Sequence, residues 1–282
     1  MVLDRVWTGI EAARRRSGRF NHVWCAAERY GEVLGGRLAA AIAYYAFFAV
    51  FALALLAYSV LGFLLQYNHD VFAAVDGFLR INLPWLEPAT IQGSRGRVGI
   101  IGLVGFVFTG VGWIEAIRSS QRSMHGVKEQ PGNPFTRRLV DLIILLGLFL
   151  LLGGSLAVAY TLESLIEWLV GGPSLALTVV GWLLTVGVNV VLASALMGGV
   201  PRLRLPVRRL LPAVLFVAAG ITVLNTAGQT VIALARDNPA YTVVTGAVGL
   251  LLYLYLFNQL LLFGAALIAT SPHGLVRDLA SS

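Results

Sequence analysis

The stretch Leu142–Leu152, LIILLGLFLLL, decides the fold class. It is apolar on every side. It therefore lacks both the alternation of a membrane-barrel strand and the polar stripe of a surface helix. With only Asp141 charged, the apolar window extends over residues 139–162. A membrane helix needs about 20 mostly apolar residues, and this window is long enough.

Outward from it, five more windows qualify, at about residues 38–65, 98–117, 174–197, 210–235 and 241–270. The pattern predicts an all-α polytopic membrane protein with six transmembrane helices. Composition agrees: 57% of residues are hydrophobic and 12% charged, where a soluble domain carries roughly 25% charge. Mean hydropathy is +0.79. A disordered chain, a coiled coil and an ordinary soluble enzyme are excluded. The expected division is a cytoplasmic basic segment at 1–36, a membrane domain at 37–271 and a short cytoplasmic tail at 272–282.

Orientation follows from where Lys and Arg fall between the spans. Arg5, Arg14, Arg15, Arg16, Arg19, Arg29 and Arg37 lead span one. Arg118, Arg122, Lys128, Arg137 and Arg138 separate spans two and three; Arg202, Arg204, Arg208 and Arg209 separate four and five. With Arg277, these put seventeen basic residues on one side, against Arg80, Arg95, Arg97 and Arg236 on the other. Both termini are expected in the cytoplasm, which an even number of spans also requires. The net charge of +7 is thus a topology signal, and no nucleic-acid partner is expected. The N-terminus lacks a cleavable signal pattern, so the first span is expected to do its own targeting.

Residues 1–36 mix Trp7, Phe20, Trp24 and Tyr30 with arginines, the composition of an interfacial amphipathic helix. Arg14, Arg15, Arg16 and Arg19 are candidates for lipid-headgroup contact. Gly35-Gly36 is expected to break this helix from span one. In the first outer loop, Val71, Phe72, Val75, Phe78 and Leu79 recur at helical spacing and predict a short amphipathic helix ending near Pro84.

Cys25 is the single cysteine, so no intrachain disulfide can form. His22, His69, His125 and His273 lie far apart, and no zinc or P-loop spacing occurs. No metal and no cofactor are expected.

Polar residues inside hydrocarbon are costly and mark packing ties or functional sites. Glu115 is the one carboxylate well inside a span window, with Arg118 at i+3 and Arg122 at i+7. The Glu115–Arg118 pair reads either as an interfacial ion pair or as a gate. Asn189, Asn225, Gln229, Tyr255, Asn258 and Gln259 read either as interhelical bonds or as one polar cleft, which Tyr44 and Tyr45 would join. Asp141, near a helix N-terminus, reads as structural. Gly99, Gly102, Gly105, Gly110 and Gly112 give span two a small-residue face, for packing within the chain or for a homodimer. Gly153-Gly154 and Gly198-Gly199 read either as packing glycines or as looseners of helix ends. No internal repeat is visible.

Several segments carry a family resemblance. They are Ala41-Ile42-Ala43-Tyr44-Tyr45-Ala46-Phe47-Phe48 and Val200-Pro201 with the arginines up to Arg209, followed by Leu210-Leu211-Pro212-Ala213. Tyr241 to Gly246, Gly249 to Tyr255 and Phe263-Gly264-Ala265-Ala266 complete the set. In this order, over about residues 36–270, the chain resembles the YihY/BrkB family of inner-membrane proteins, and within it the YhjD-type members of actinobacteria. Ala52 stands where many members have proline, and Ala266 where many have glutamate. The resemblance implies inner-membrane localisation and a link to envelope lipid transport. Older family labels include ribonuclease BN and virulence factor.

The expected function is a transporter or flippase-like carrier of a lipid or other amphiphile, with no ATPase of its own. The alternative is a non-transporting membrane scaffold with envelope protein partners. An enzyme is not expected, because no catalytic constellation can be named.

Overall fold

The computed structural model describes residues 10–67, 88–128, 133–170, 175–235 and 239–279. The amphipathic helix expected near residues 71–80, and Arg5 and Trp7, lie outside the described residues. Within them the fold is helical throughout, apart from one two-stranded ladder.

Helix α1 spans Gly18–Glu32, preceded by helical residues 10–16. Ser17 caps it, its hydroxyl accepting from the Phe20 N–H at 3.3 Å. Helix α2 spans Gly35–Tyr67, α3 Pro88–Met124, α4 Pro134–Val170 and α5 Leu175–Ser194. A π-helical turn, Ala195–Gly199, extends α5 and contains Gly198 and Gly199. Helix α6 spans Val207–Ala235 and α7 spans Pro239–Ala269. Proline opens α3, α4 and α7, where its missing N–H would have had no helical partner. Pro212 lies in the second turn of α6.

Five of these helices are long and apolar enough to cross a membrane: Gly35–Val60, Gly96–Met124, Val179–Gly199, Val207–Gly228 and Gly246–Ala269. The third expected window lies on α4. Helices α2, α3 and α4 outrun their windows at both ends, because helix geometry continues where the apolar composition ends.

The break before span one falls two residues earlier than expected. It is made by Val33 and Leu34, and Leu34 adopts a left-handed φ of 55°. Gly35 and Gly36 are already inside α2. Gly35 is needed for room rather than for conformation, since a Cβ there would collide with the Tyr30 ring.

The chain forms two compact units, Tyr44–Trp113 and the remainder. In the first, the glycine face of α3 packs on α2. A Cβ at Gly102 would stand 2.9 Å from the Leu56 backbone nitrogen, and one at Gly105 would stand 3.4 Å from Ala52 Cβ. One at Gly112 would stand 3.1 Å from the Tyr45 ring. The small-residue face thus serves packing within the chain.

In the second unit, α1 lies against α7, and α6 packs between α5 and α7. His22 Nε2 donates to the Leu267 carbonyl at 2.9 Å, and Arg29 donates to the Met124 and Ser123 carbonyls at 2.9 Å each. The segment after α7 is pinned. Residues Arg277–Asp278 form β2, antiparallel to β1 at Leu203–Arg204, with Leu203 opposite Asp278. Nothing in the helical pattern of the sequence indicated this ladder.

Candidate functional site

Two features of the larger unit combine polar chemistry with burial. The first is a cluster of charges where α3 and α4 meet the loop before α6. Arg118 is fully buried on α3, and its nearest acid is Asp141 of α4, also fully buried, not Glu115. Asp141 Oδ1 accepts from Arg118 Nη1 and, at 2.9 Å, from Arg202 Nη2. Arg202 Nη2 also donates to the Arg137 carbonyl at 3.2 Å. Glu115 lies farther off, 3.9 Å from Arg118 and 3.6 Å from Arg137. The sequence-expected Glu115–Arg118 pair is therefore present but loose, and Asp141 does more than complement a helix dipole. Arg202 carries a left-handed φ of 54°, strained for a residue with a Cβ. Burial, then the charge of Arg118, holds its guanidinium below the usual arginine range.

One turn along α3, Arg122 is buried and fully occupied. It grips both carboxylate oxygens of Asp278, at 3.0 and 2.6 Å, and donates to the Pro201 and Lys128 carbonyls. Gln121 beside it donates to the Leu196 carbonyl at 3.2 Å. The sequence placed Arg122 on the face of Arg118. It held no signal for Asp278, which is 156 residues away.

The second feature is a groove of about 540 Å³ between α6 and α7. Phe216, Gly220, Ala227 and Phe263 give it apolar walls, while Tyr30 of α1 and Gln259 bring polar groups. The Tyr30 hydroxyl is buried with no hydrogen-bond partner among the described residues. Burial, then Tyr255, raises its pKa above the usual tyrosine value. A second groove of similar volume, between α4 and α5, is apolar throughout its lining, from Val158 to Leu183 and Val191.

Of the residues proposed for one polar cleft, Gln259 lines the groove between α6 and α7. Asn189 donates to Thr222 Oγ1 at 3.0 Å, tying α5 to α6. Asn225 accepts from the Tyr253 hydroxyl at 2.6 Å, tying α6 to α7. Asn258 is buried and donates to the Leu254 carbonyl of its own helix. Tyr255 stands near Gly36 and Tyr30. Tyr44 and Tyr45 belong to the smaller unit, largely exposed and edge-on to each other at 5.9 Å. Gln229 lies on α6, with its side chain outside the described residues.

On the N-terminal segment, Arg14 is taken up by Glu28 at 2.9 Å and Arg15 by Glu11 at 3.3 Å. Arg16 and Arg19 are exposed, with no ion-pair partner among the described residues.

Long apolar helices and grooves walled by apolar side chains define a helical, multi-span membrane protein. The family model "Virulence factor BrkB" matches residues 26–279, and the chain belongs to that family. It is similar to Inner membrane protein YhjD of Escherichia coli (strain K12), 25% identical over 96% of this chain and 87% of that one. It is also similar to an uncharacterized protein of Dickeya dadantii (strain 3937), 26% identical over 89% of this chain and 83% of that one. No solved structure matches it.

Proposed function

We infer that this protein is a six-span inner-membrane carrier of a lipid or other amphiphile, with both termini cytoplasmic and no ATPase of its own. The groove between α6 and α7 carries the reading. Its walls suit an acyl chain, and the Tyr30 hydroxyl and Gln259 amide supply polar partners for a headgroup. The name of the Escherichia coli relative supports the inner membrane as the location. The sixth span is α4, whose window at 139–162 has the required length. Arg16 and Arg19 face anionic headgroups at the inner surface, at roughly 1 kcal/mol each.

The test is lipid movement in proteoliposomes, comparing the wild type with Ala227→Trp, which fills the groove from an exposed position on its wall. The reading requires transport by the wild type and its loss in the variant. Equal movement in both, or none above protein-free vesicles, would contradict it.

A second reading rests on α1. Its exposed Phe20 and Val23 beside Arg19 would suit an envelope protein partner on a non-transporting scaffold. Deleting residues 1–30 should then abolish partner recovery while the membrane helices stay folded.

A further inference from the structure

We propose that Arg118, Arg137 and Arg202 form a binding site for a phosphate group, which enters by displacing the carboxylate of Glu115. The charge balance comes first. Among the described residues, three guanidiniums share two carboxylates, Asp141 and Glu115. Arg122 is committed to Asp278 and takes no part in this balance. The cluster thus carries an excess cation where Arg118 is fully buried and Arg137 is 9% exposed. Such a charge is expensive to bury without a partner.

Hydrogen bonding gives the same answer independently. Arg118 Nε and Nη2, Arg137 Nε and Arg202 Nε are buried donors without an acceptor among the described residues. Asp141 Oδ2 is bare as well, yet one oxygen cannot serve donors spread over three residues. A phosphate can, because its several oxygens match the forks of more than one guanidinium. Glu115 meets no such need. At 3.6 and 3.9 Å it is beyond hydrogen-bond length, and at 24% exposure it can turn out to water. Arg202 is also held in strained backbone, which proteins tend to keep at binding sites.

Lipid headgroups and soluble ions both carry such a phosphate, and the probes separate these sources. The full chain in neutral detergent is titrated with inorganic phosphate and with dihexanoyl phosphatidic acid, against sodium chloride at equal ionic strength. Thermal unfolding is the readout. The site gives a saturable rise in Tm beyond the chloride control. A rise with phosphatidic acid alone assigns a lipid headgroup, and a rise with inorganic phosphate as well assigns the phosphate group itself. Because Arg118 is fully enclosed, the decisive variants are at Arg137 and Glu115, which keep some exposure. Arg137→Gln should weaken binding about tenfold, and Glu115→Gln should tighten it about tenfold. No rise over chloride with either probe overturns the site, as does wild-type affinity in Arg137→Gln. Unchanged or weaker affinity in Glu115→Gln overturns the displacement. Absence of lipid transport by the wild type, with phosphate binding intact, would count against the carrier reading alone.

Discussion

Arg122 on α3 holds both carboxylate oxygens of Asp278, so the last described strand is locked to the end of a membrane helix by a buried bidentate ion pair. The β1–β2 ladder and the Leu279 N–H bond to the Arg202 carbonyl reinforce the same attachment. Arg122 has no exposure and Asp278 retains 17%, so removing the acid strands a cation in the interior. Asp278→Ala should lower unfolding stability by about 2–3 kcal/mol and open Arg277 to trypsin. Thermal unfolding and limited proteolysis in detergent check this, and an unchanged cleavage pattern would refute the lock.

Asp141 and Glu115 sit in one cluster but should behave differently. Asp141 is fully buried and accepts from two arginines, whereas Glu115 is loosely held. Asp141→Asn should cost about 3–5 kcal/mol, and Glu115→Gln less than about 1 kcal/mol. Equal losses in thermal unfolding would show that the assignment of partners is wrong.

Much of this architecture was legible from composition. The six apolar windows fall on α2 to α7, because only a helix satisfies its own backbone across lipid. The charge cluster was legible only in part. Spacing along one helix pairs Arg118 with Glu115, but the stronger partner comes from α4, and no one-helix pattern contains Asp141. Asn189 and Asn225 stood out as polar groups in apolar runs. Their partners Thr222 and Tyr253 did not, since neither is unusual in a membrane helix. The Val33–Leu34 turn was misplaced onto Gly35-Gly36 because glycine is the usual carrier of positive φ, and here leucine carries it.

His125 lies just beyond α3 and gives the fold a pH dependence. Its Nδ1 donates to the Gln121 carbonyl at 2.8 Å, and Nε2 is buried without a partner among the described residues. Burial lowers its pKa against the opposing pull of that carbonyl, and Arg209, Arg122 and Arg29 lower it further. The unfolded chain, with a value near 6.5, binds the proton first as pH falls. Stability from the neutral ring is therefore present above about pH 6.5 and lost as pH drops toward the lowered folded value. Tm should fall between pH 7 and 5, and His125→Gln should flatten that part of the profile.

Glycines on α3 should separate by what their missing Cβ would meet. Gly102→Ala drives into the backbone of α2, which cannot move aside, and should cost about 1–3 kcal/mol. Gly105→Ala reaches only ordinary contact with Ala52 and should be nearly neutral. Paired unfolding measurements decide; equal costs would refute the packing of α3 on α2.

The most direct test of the carrier reading is native mass spectrometry of the full chain extracted gently from its own membrane, with bound lipid identified, alongside Ala227→Trp. The groove between α6 and α7 should retain one recurring lipid at fixed stoichiometry in the wild type and lose it in the variant. Random bulk phospholipid on both proteins, or the same lipid retained equally by both, would contradict it.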